Sequence, residues 1–552
     1  MSVLEKKGKG KLDDTVPLKC IIESFLNIDG HTEFILKVQR GPNIENSWEI
    51  QHRYNDFAAL NALLTANAVG FELPLPPKKA FGNMDSTFLH ERRLGLQKFM
   101  DLVLSNSLFC HHLAVKKFLD PRNYSEEIEN TAQQQAAMFF RSDPNWELQE
   151  NLKEIGWRVR KTFFIIKSKG SSKNTKHLLT WAEHGPDMVL DHETTLLALL
   201  RQMSSIQHPF IYPVTYASCT EKGSTIVRPF YPTGSLRDVI CKGKPVHPRL
   251  KKYGNRKARI PLGFSDIKRI GRQVLEALRF LRDKGWPYGH LHAGNVIIEG
   301  ENCKLLDIEN GILGVPSLYR SFLIEHKSVK DLESVDVYCF GHLMYEITFG
   351  DPLDKLYIDE FPENCPPIIQ PILHSILSSS AIKSGLPTLD DLVANPFFAD
   401  VTVRYDEKPS FKVNKLKDSL KLAKDAIEAR LKDEQKKLRK FYRLSKARSD
   451  LLSEEEKKKR KKSNKKKTST TTTDSRPKSP PTTKVSKSTK SSSAAAPAAP
   501  PPPAAAPPPA SVQTSKPPPS SAGRGALLSS ISDFSKAGLK KCETNDRSKP
   551  KV

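Results

Sequence analysis

The pattern of apolar and polar positions divides the chain into two folded regions and a long polar tail. The first region, residues 15–124, opens with segments of alternating polarity, which is typical of strands, and continues with helical periodicity. The predicted strands are 18–26, 32–38 and 48–54, and the predicted helices begin near Asn55, at Ser86 (86–105) and at His111 (111–118). A proline-rich loop, 73–79, joins the first helix to the second.

A polar segment, 123–135, separates the first region from the second, which spans residues 145–400. The second region is strand-rich before about Phe264 and helix-rich after it. Residues 410–462 have strong helix propensity but a weak apolar face, which predicts an exposed or fluctuating basic helix. The Ser/Thr- and Ala/Pro-rich stretch 463–522 is predicted to be disordered, and an apolar island lies within 523–542. The expected class is therefore an α+β multidomain chain with a disordered tail.

Charge and cysteine usage narrow the functional classes. A formal net charge of +25 over 552 residues favours an anionic partner. The eight cysteines are scattered singly, without the spacing of a zinc site or a disulfide framework. No apolar run approaches the roughly 18 residues of a membrane span, and the N-terminus lacks an apolar signal core. We therefore expect a cytoplasmic protein whose membrane contact is peripheral.

Several cations of the first region suit the recognition of phosphate groups. Arg53 and Tyr54 end a strand, Lys78 and Lys79 end the proline loop, and Arg92 begins a helix. The planar fork of arginine makes paired hydrogen bonds to phosphate oxygens, so these positions are candidates for a phosphoinositide site.

These motifs resemble the PX (phox homology) domain family in their order and spacing. The resemblance implies a three-stranded sheet with helices, in which Arg53 binds the 3-phosphate and Tyr54 packs on the inositol ring. It further implies that Lys78 or Lys79 meets the 1-phosphate and that Arg92 binds the ring hydroxyls. Phosphatidylinositol 3-phosphate, the endosomal lipid, is the ligand that the family most often prefers, although selectivity among phosphoinositides stays open.

Four segments of the second region resemble the protein kinase family, in the family's order: 208–211, 231–236, 334–347 and 387–398. The resemblance implies a two-lobed fold with degraded catalytic parts. His290 stands where the catalytic aspartate belongs, whereas Asn295 and Asp307 keep the magnesium positions. Glu309 replaces the glycine that follows the metal-binding aspartate, and its carboxylate is expected to repel phosphates.

Other parts of a phosphoryl-transfer site are missing from the pattern. The glycine-loop region, 155–159, has one glycine, and the predicted third strand, 177–181, offers no lysine. Glu193 lies too far ahead of His208 to be assigned as the pairing glutamate. We expect a pseudokinase that requires no cofactor, with weak Mg-ATP binding through Asn295 and Asp307 left open.

The apolar island of the tail resembles the WH2 actin-binding motif. Helical spacing places the apolar side chains on one face, and a short basic extension follows: Leu527, Leu528, Ile531, Phe534, Leu539, Lys540 and Lys541. The resemblance implies binding of an actin monomer, and the proline runs before it suit profilin or SH3 domains. A basic run, 457–467, has nine lysines and arginines in eleven residues, and anionic lipid, a nuclear signal or plain solvation all explain it.

Together the three resemblances predict an adaptor that links endosomal or plasma membrane to actin and acts on trafficking of a membrane protein such as a receptor, transporter or ion pump. One alternative is an active Ser/Thr kinase recruited to membranes by its lipid domain. A second is a protein that is mainly an actin regulator. No nucleic-acid partner is expected, because the basic run has no interleaved aromatic residues.

Overall fold

The first sheet contains three antiparallel strands, as the alternating pattern predicts. The computed structural model describes residues 11–68, 70–78, 85–124, 127–169, 175–190, 193–405 and 407–467. The strands pair in sequence order and are β1 (Leu18–Ile28), β2 (His31–Arg40) and β3 (Ser47–Arg53). Ile22, Phe34 and Leu36 alternate with exposed positions and are buried against the helices.

Four helices complete the first region. They are α1 (Tyr54–Asn67), α2 (Ser86–Ser105), α3 (Ser107–Cys110) and α4 (Leu113–Leu119). The proline loop packs directly on α2, where a Cβ atom at Gly95 would lie 2.4 Å from Cγ of Pro76. Only glycine at this position allows so close an approach.

The segment that was expected to separate the two regions is instead largely helical. Helix α5 spans Glu127–Ser142, and its buried Ala136 and Phe139 pack against Phe164 and Ile166 of the second region. Its apolar positions recur at helical spacing among polar residues, so that one narrow face suffices to bury it.

The second region begins with a five-stranded antiparallel sheet in the order β4-β5-β6-β8-β7. Its elements are β4 (Trp146–Leu152), β5 (Lys161–Ser168), β6 (Lys176–Glu183), α6 (Glu193–Gln202), β7 (Tyr216–Cys219) and β8 (Gly223–Pro229). Strand β8 is buried along nearly its whole length, including the charged Arg228.

The helical half follows and surrounds one central helix. Its elements are α7 (Leu236–Ile240), α8 (Arg249–Tyr253), α9 (Phe264–Asp283), β9 (Val296–Glu299), β10 (Asn302–Leu305), α10 (Arg320–Glu325), α11 (Leu332–Phe349), α12 (Gln370–Leu377), α13 (Ala381–Ser384) and α14 (Leu389–Val393). Short 3₁₀ turns occur at Met203–Ser205, Arg256–Ala258, Ala293–Asn295, Pro396–Phe398 and Asn414–Leu416. Helix α11 is apolar around almost its whole circumference, and it is accordingly buried on all sides.

The expectation of an exposed or fluctuating helix over 410–462 is wrong for its first half. Helix α15 spans Lys417–Lys467, and Leu420, Ala423 and Leu431 are buried against the helical half of the second region. A narrow stripe of these apolar residues is enough to dock the helix, although most of its surface is charged.

The described residues belong to one compact unit, in which the two regions contact each other directly. Arg249 of α8 donates hydrogen bonds to the carbonyl oxygens of Leu108 and Ser107, at 2.9 and 3.1 Å. Arg160 joins the carboxylate of Asp14 to that of Glu183, at 3.0 and 2.8 Å. The first and second regions are therefore packed against each other and are not merely joined by a flexible linker.

Candidate functional site

The phosphoinositide candidate is built where the end of β3, the proline loop and α2 meet. The Tyr54 hydroxyl donates to the carbonyl oxygen of Pro76 at 2.5 Å. The guanidinium of Arg92 lies 4.3 Å from the Tyr54 ring centroid and donates to the carbonyl oxygen of Pro77 at 3.1 Å. The structure therefore brings Tyr54, Arg92 and the proline loop into one cluster.

Arg92 is held in this cluster as a largely buried cation. Its side chain is sandwiched between Tyr54 and Phe88, whose ring centroid lies 4.4 Å from the guanidinium. Burial lowers the pKa of Arg92, and the nearby Tyr54 acts in the opposite direction. Its buried Nε–H has no hydrogen-bond partner within the described residues, which leaves one donor for an anionic ligand.

Arg53 and Lys78 present their charges to solvent beside this cluster. The Arg53 side chain is 53% exposed, and its Nε lies 3.2 Å from the Glu33 carboxylate. A half-exposed ion pair of this kind costs little to break, so Arg53 can exchange Glu33 for a phosphate. Lys78 is exposed at the end of the loop, and Lys79 lies outside the described residues.

The neighbouring Arg93 has a different task. It donates to the carbonyl oxygen of Ile22 at 2.7 Å and thereby fastens α2 to β1. Of the two adjacent arginines, only Arg92 therefore faces the lipid-site candidate.

The catalytic-loop segment, residues 288–295, is fastened to the central helix. The backbone N–H of Gly289 donates to the Asp336 carboxylate of α11 at 2.8 Å. The Asn295 side chain donates to the carbonyl oxygen of His290 at 3.0 Å, so Asn295 braces its own loop. This bracing leaves the Asn295 side-chain oxygen as the group that can meet a metal ion.

His290 is buried at the position of the catalytic aspartate. Its Nδ1 lies 3.2 Å from Nη2 of Arg158, which can only donate, so Nδ1 is the acceptor and Nε2 carries the proton. Burial, followed by the charge of Arg158, holds the pKa of His290 well below its ordinary value. A neutral imidazole whose acceptor is already occupied is a poor proton acceptor for a substrate hydroxyl.

The cleft contains a lysine that the sequence pattern did not reveal. Lys161 Nζ lies 2.7 Å from the Asp307 carboxylate, and the lysine begins β5 rather than standing on β6, the strand where the pattern was sought. The third strand, β6, has no lysine within 177–181, as the sequence predicted, but β5 supplies one to the cleft. The useful signal was a lysine two positions before the apolar run 163–166, since a charge buried at the start of such a strand needs a partner in the fold.

Asp307 is held as a carboxylate in this environment. Burial alone would raise its pKa, but the charges of Lys161 and Arg228 hold the pKa of Asp307 below its ordinary value. Its backbone has a φ of 57°, a left-handed conformation that is uncommon outside glycine.

The expected repulsion by Glu309 is not what the structure shows. Glu309 is buried, and both of its oxygens accept from Arg228 of β8, at 3.3 and 2.5 Å. A carboxylate that is neutralised by a two-pronged arginine bond does not repel a phosphate in the way a free one would. Arg228 was missed because its partner is 81 residues away in sequence.

The turn between β4 and β5 fills much of the cleft. Trp157 donates to Nε2 of His292 at 3.3 Å, next to the Arg158 contact with His290. The remaining cavity has a volume of about 90 Å³. Pockets for small ligands usually measure roughly 300–1,000 Å³, so nucleotide entry requires this turn to move.

Helix α15 covers the activation segment, which is defined here as residues 307–330. Ile427 and Leu431 line a small cavity together with His290 and Leu323. The Gln435 side chain donates to carbonyl oxygens of the activation segment, including those of Leu323 and Val329 at 3.1 and 2.9 Å. The helix thus occupies the space in front of the catalytic-loop segment.

Charged residues on the same face of α15 also fasten this arrangement. The Asp187 carboxylate pairs with Arg320 of α10 at 2.8 Å and with Arg430 of α15, and Glu434 completes the set at 2.9 Å from Arg320. Arg430 also lies 3.3 Å from Asp13 near the start of the described chain. We call Asp13, Asp187, Arg320, Arg430 and Glu434 the α15 clamp.

The remaining sequence-predicted residues are not placed by the structure. Leu527, Leu528, Ile531, Phe534, Leu539, Lys540 and Lys541 lie outside the described residues. The side chain of Glu193 is likewise not described, although α6 begins at its backbone.

Comparison with family models matches two parts of the chain. The PX domain model matches residues 41–122 and the WH2 motif model matches residues 520–549. The predicted lipid-domain and actin-motif resemblances are thereby confirmed, together with the α+β class. In the part of the chain that the structure describes, no helix combines the length and apolarity needed to cross a membrane.

Comparison with whole proteins extends the similarity through the second region. A Mus musculus protein named "PX domain-containing protein kinase-like protein" is 47% identical over 452 residues, which cover 81% of this chain and 77% of the mouse protein. The "Slowpoke-binding protein" of Drosophila melanogaster is 33% identical and covers 48% of this chain and 54% of its own. "Probable inactive serine/threonine-protein kinase slob1" of Dictyostelium discoideum is 29% identical, with 51% of each chain covered.

Proposed function

We propose that this chain, which belongs to the family of PX domain-containing protein kinase-like proteins, is a phosphoinositide-binding pseudokinase adaptor. The PX domain binds the membrane lipid, the kinase-like domain serves as a scaffold, and the WH2 motif binds an actin monomer. The protein joins endosomal or plasma membrane to actin and acts on the trafficking of a membrane-protein cargo.

One observation carries the pseudokinase part of the proposal. His290 is buried, its acceptor nitrogen is occupied by Arg158, and Ile427 and Leu431 of α15 line a small cavity together with it. Phosphoryl transfer requires a proton acceptor within reach of the substrate hydroxyl and space for both reactants. Neither requirement is met in this arrangement.

The lipid part of the proposal is supported by the cluster of Tyr54, Arg92 and the proline loop. Arg53 and Lys78 add exposed charge next to it. A single head group gives modest affinity, and simultaneous lipid and actin contacts raise the overall affinity through effective concentration. Phosphatidylinositol 3-phosphate is the proposed lipid.

The relatives' names support an adaptor as well. One relative is named for binding Slowpoke and another is named an inactive kinase. From these names we propose for this chain only that its kinase-like domain is a scaffold that binds a protein partner.

A second candidate function, phosphoryl transfer by an unconventional Ser/Thr kinase, is favoured by the Lys161–Asp307 pair. This pair supplies a cation and a metal-binding carboxylate in one cleft. Lys161 would align phosphates and Asp307 would hold magnesium, as a working site requires.

Radiolabelled phosphate transfer from Mg-ATP separates the two functions. We expect the purified full-length protein to incorporate no more phosphate into itself or a general acceptor than an Asp307→Ala variant does. Stoichiometric incorporation that disappears in Asp307→Ala, but persists in an Asp283→Ala control on the surface of α9, would establish the kinase instead.

A further inference from the structure

A second cavity lies at the junction of the PX and kinase-like domains. It has a volume of about 380 Å³ and lies between α4, the turn that joins β4 to β5, and the start of α8. We call it the junction cavity. Its size falls within the range of small-molecule pockets.

Cations dominate the lining of the junction cavity. Lys117 comes from α4 of the PX domain, and Arg249 comes from α8. Lys153 and Arg158 come from the turn between β4 and β5, and Lys161 begins β5. The lining carboxylates belong to Glu129 and Glu154. Five cations therefore line one cavity together with two carboxylates.

The two lining carboxylates and Asp307 of the kinase-like cleft neutralise only some of these positive charges. Lys153 lies 3.6 Å from Glu129 and His112 lies 3.4 Å from Glu154, whereas Lys161 is paired with Asp307. Within the described ranges of the chain, no ion pair with a carboxylate is formed by Lys117, Arg158 or Arg249. In the part of the chain that the structure describes, three lining cations thus have no carboxylate within ion-pair distance.

The two arginines keep their charge despite their surroundings. Burial lowers the pKa of Arg158 to about 10, and it lowers that of Arg249, together with nearby Arg237, to about 10. Burial and the charges of Lys116 and Arg249 lower the pKa of His111 to about 3, so that His111 adds no charge. Unpaired buried cations are costly, and a bound anion removes that cost.

We propose that the junction cavity binds a small polyphosphate, which bridges the PX domain and the kinase-like domain. Phosphate oxygens accept from Lys117 on one side and from Arg158 and Arg249 on the other. Several phosphates on one compact molecule are needed to reach cations that come from three separate elements. An inositol polyphosphate and a nucleotide polyphosphate share this chemistry.

Isothermal titration calorimetry on the full-length protein tests the proposal, with inositol hexakisphosphate and Mg-ATP as separate probes. Every protein carries Arg53→Ala, so that the lipid pocket does not contribute. The test variant adds Lys117→Gln and Arg158→Gln, and the control adds Lys251→Gln, an exposed lysine two positions beyond Arg249 on α8.

We expect at least one probe to bind and the double variant to bind it about tenfold more weakly or worse, because each lost charge-assisted bond weakens binding by about that factor. The same probe should raise the melting temperature of the control but not that of the double variant. If the double variant fails to fold, Lys117→Gln alone provides the comparison, because Lys117 is only half-buried.

Two results would overturn the proposal. The first is the absence of binding by both probes, or equal affinity for the double variant and the control. The second is binding of Mg-ATP alone that is lost in Asp307→Ala but kept in Lys117→Gln, which would place the anion in the nucleotide cleft instead.

Discussion

Charged residues in the kinase-like cleft form ion pairs with one another. Lys161 holds the partly buried Asp307, and Arg228 holds Glu309, with both members of the second pair buried. Because these charges are already paired, the cleft is stable without a ligand, and an incoming nucleotide has to compete with the carboxylates for the cations. In the PX domain, by contrast, the Arg53 side chain is half-exposed, and its ion pair with Glu33 is weak.

This exposure makes Arg53 the most informative residue for lipid binding. We expect Arg53→Ala to weaken binding to vesicles that contain phosphatidylinositol 3-phosphate by about tenfold or more, since a charge-assisted phosphate contact is lost. The thermal midpoint should barely change. Vesicle co-sedimentation measures the effect, and Lys98→Ala, an exposed lysine of α2, controls for the lost charge. Equal loss in both variants would point to general electrostatic attraction instead of a head-group site.

The buried His342 contributes to the pH dependence of the free energy of unfolding. It stacks on Tyr319 with the ring centroids 4.3 Å apart, and burial lowers its pKa to about 3 from an ordinary value near 6.5. A lowered pKa contributes stability that is present above the ordinary value and is lost as the pH falls toward the folded value. Such a group removes about 2 kcal/mol of stability on going from its ordinary pKa to about pH 5.

We expect His342→Phe to keep the aromatic stacking and to flatten this acid dependence. Urea unfolding at about pH 7 and about pH 5 measures the difference, which should shrink by about 2 kcal/mol in the variant. The exposed His374 supplies the control, His374→Phe, which should behave like the unsubstituted protein. An unchanged pH dependence in His342→Phe would mean that other groups cause the acid sensitivity.

At the level of elements, two contacts fix the activation segment. Close to Asp307, Gly185 N–H donates to the carbonyl oxygen of Leu313 at 2.8 Å, and a Cβ atom on Gly185 would lie 2.0 Å from the carbonyl oxygen of Gly314. Farther along, α15 docks on the segment through Leu431 and Gln435. The segment is therefore held from the sheet side and from the C-terminal side.

Gln435 offers a direct test of α15 docking. We expect Gln435→Ala to leave three carbonyl oxygens of the activation segment without this donor and to lower stability by about 1–3 kcal/mol. Hydrogen exchange of residues 320–332 should become faster. The neighbouring exposed residue supplies the control Lys436→Ala. Identical exchange in Gln435→Ala and the control would show that the helix does not hold the segment in solution.

At the level of the whole molecule, the PX and kinase-like domains share an interface rich in arginine. Arg160 and Arg249 both come from the kinase-like domain, and they bind the N-terminal stretch and the end of the PX domain. The close approach of α8 to α1 is possible because residue 254 is glycine, where a Cβ atom would lie 2.5 Å from Cα of Ala68. A lipid that binds to the PX domain therefore binds to a compact unit that also contains the kinase-like domain.

This interface predicts joint unfolding of the two domains. We expect one calorimetric transition for the full-length protein, and Arg160→Ala should lower its midpoint by breaking the links to Asp14, Glu183 and the carbonyl oxygen of Asn123. A loss of about 1–3 kcal/mol is expected. Arg201→Ala, on the exposed face of α6, is the control. Two independent transitions in the unsubstituted protein would contradict the coupling.

The sequence by itself determined the elements and the motif positions of this protein. Alternation and helical period located β1 to β3 and gave α2 its observed bounds, because local backbone preferences and a buried face decide such segments. The motif order also selected Tyr54, Arg92, His290 and Asp307 as candidate site residues, since chemistry of this kind requires particular side chains at fixed local spacing.

Only the tertiary structure decided how charges pair and what covers the cleft. Lys161 lies 146 residues from Asp307, and Arg228 lies 81 residues from Glu309. Local patterns cannot report such pairs, because the fold chooses which distant strand faces the carboxylate. The docking of α15 was likewise invisible, since a few buried positions such as Leu431 and Gln435 gain their partners only when the activation segment is already in place.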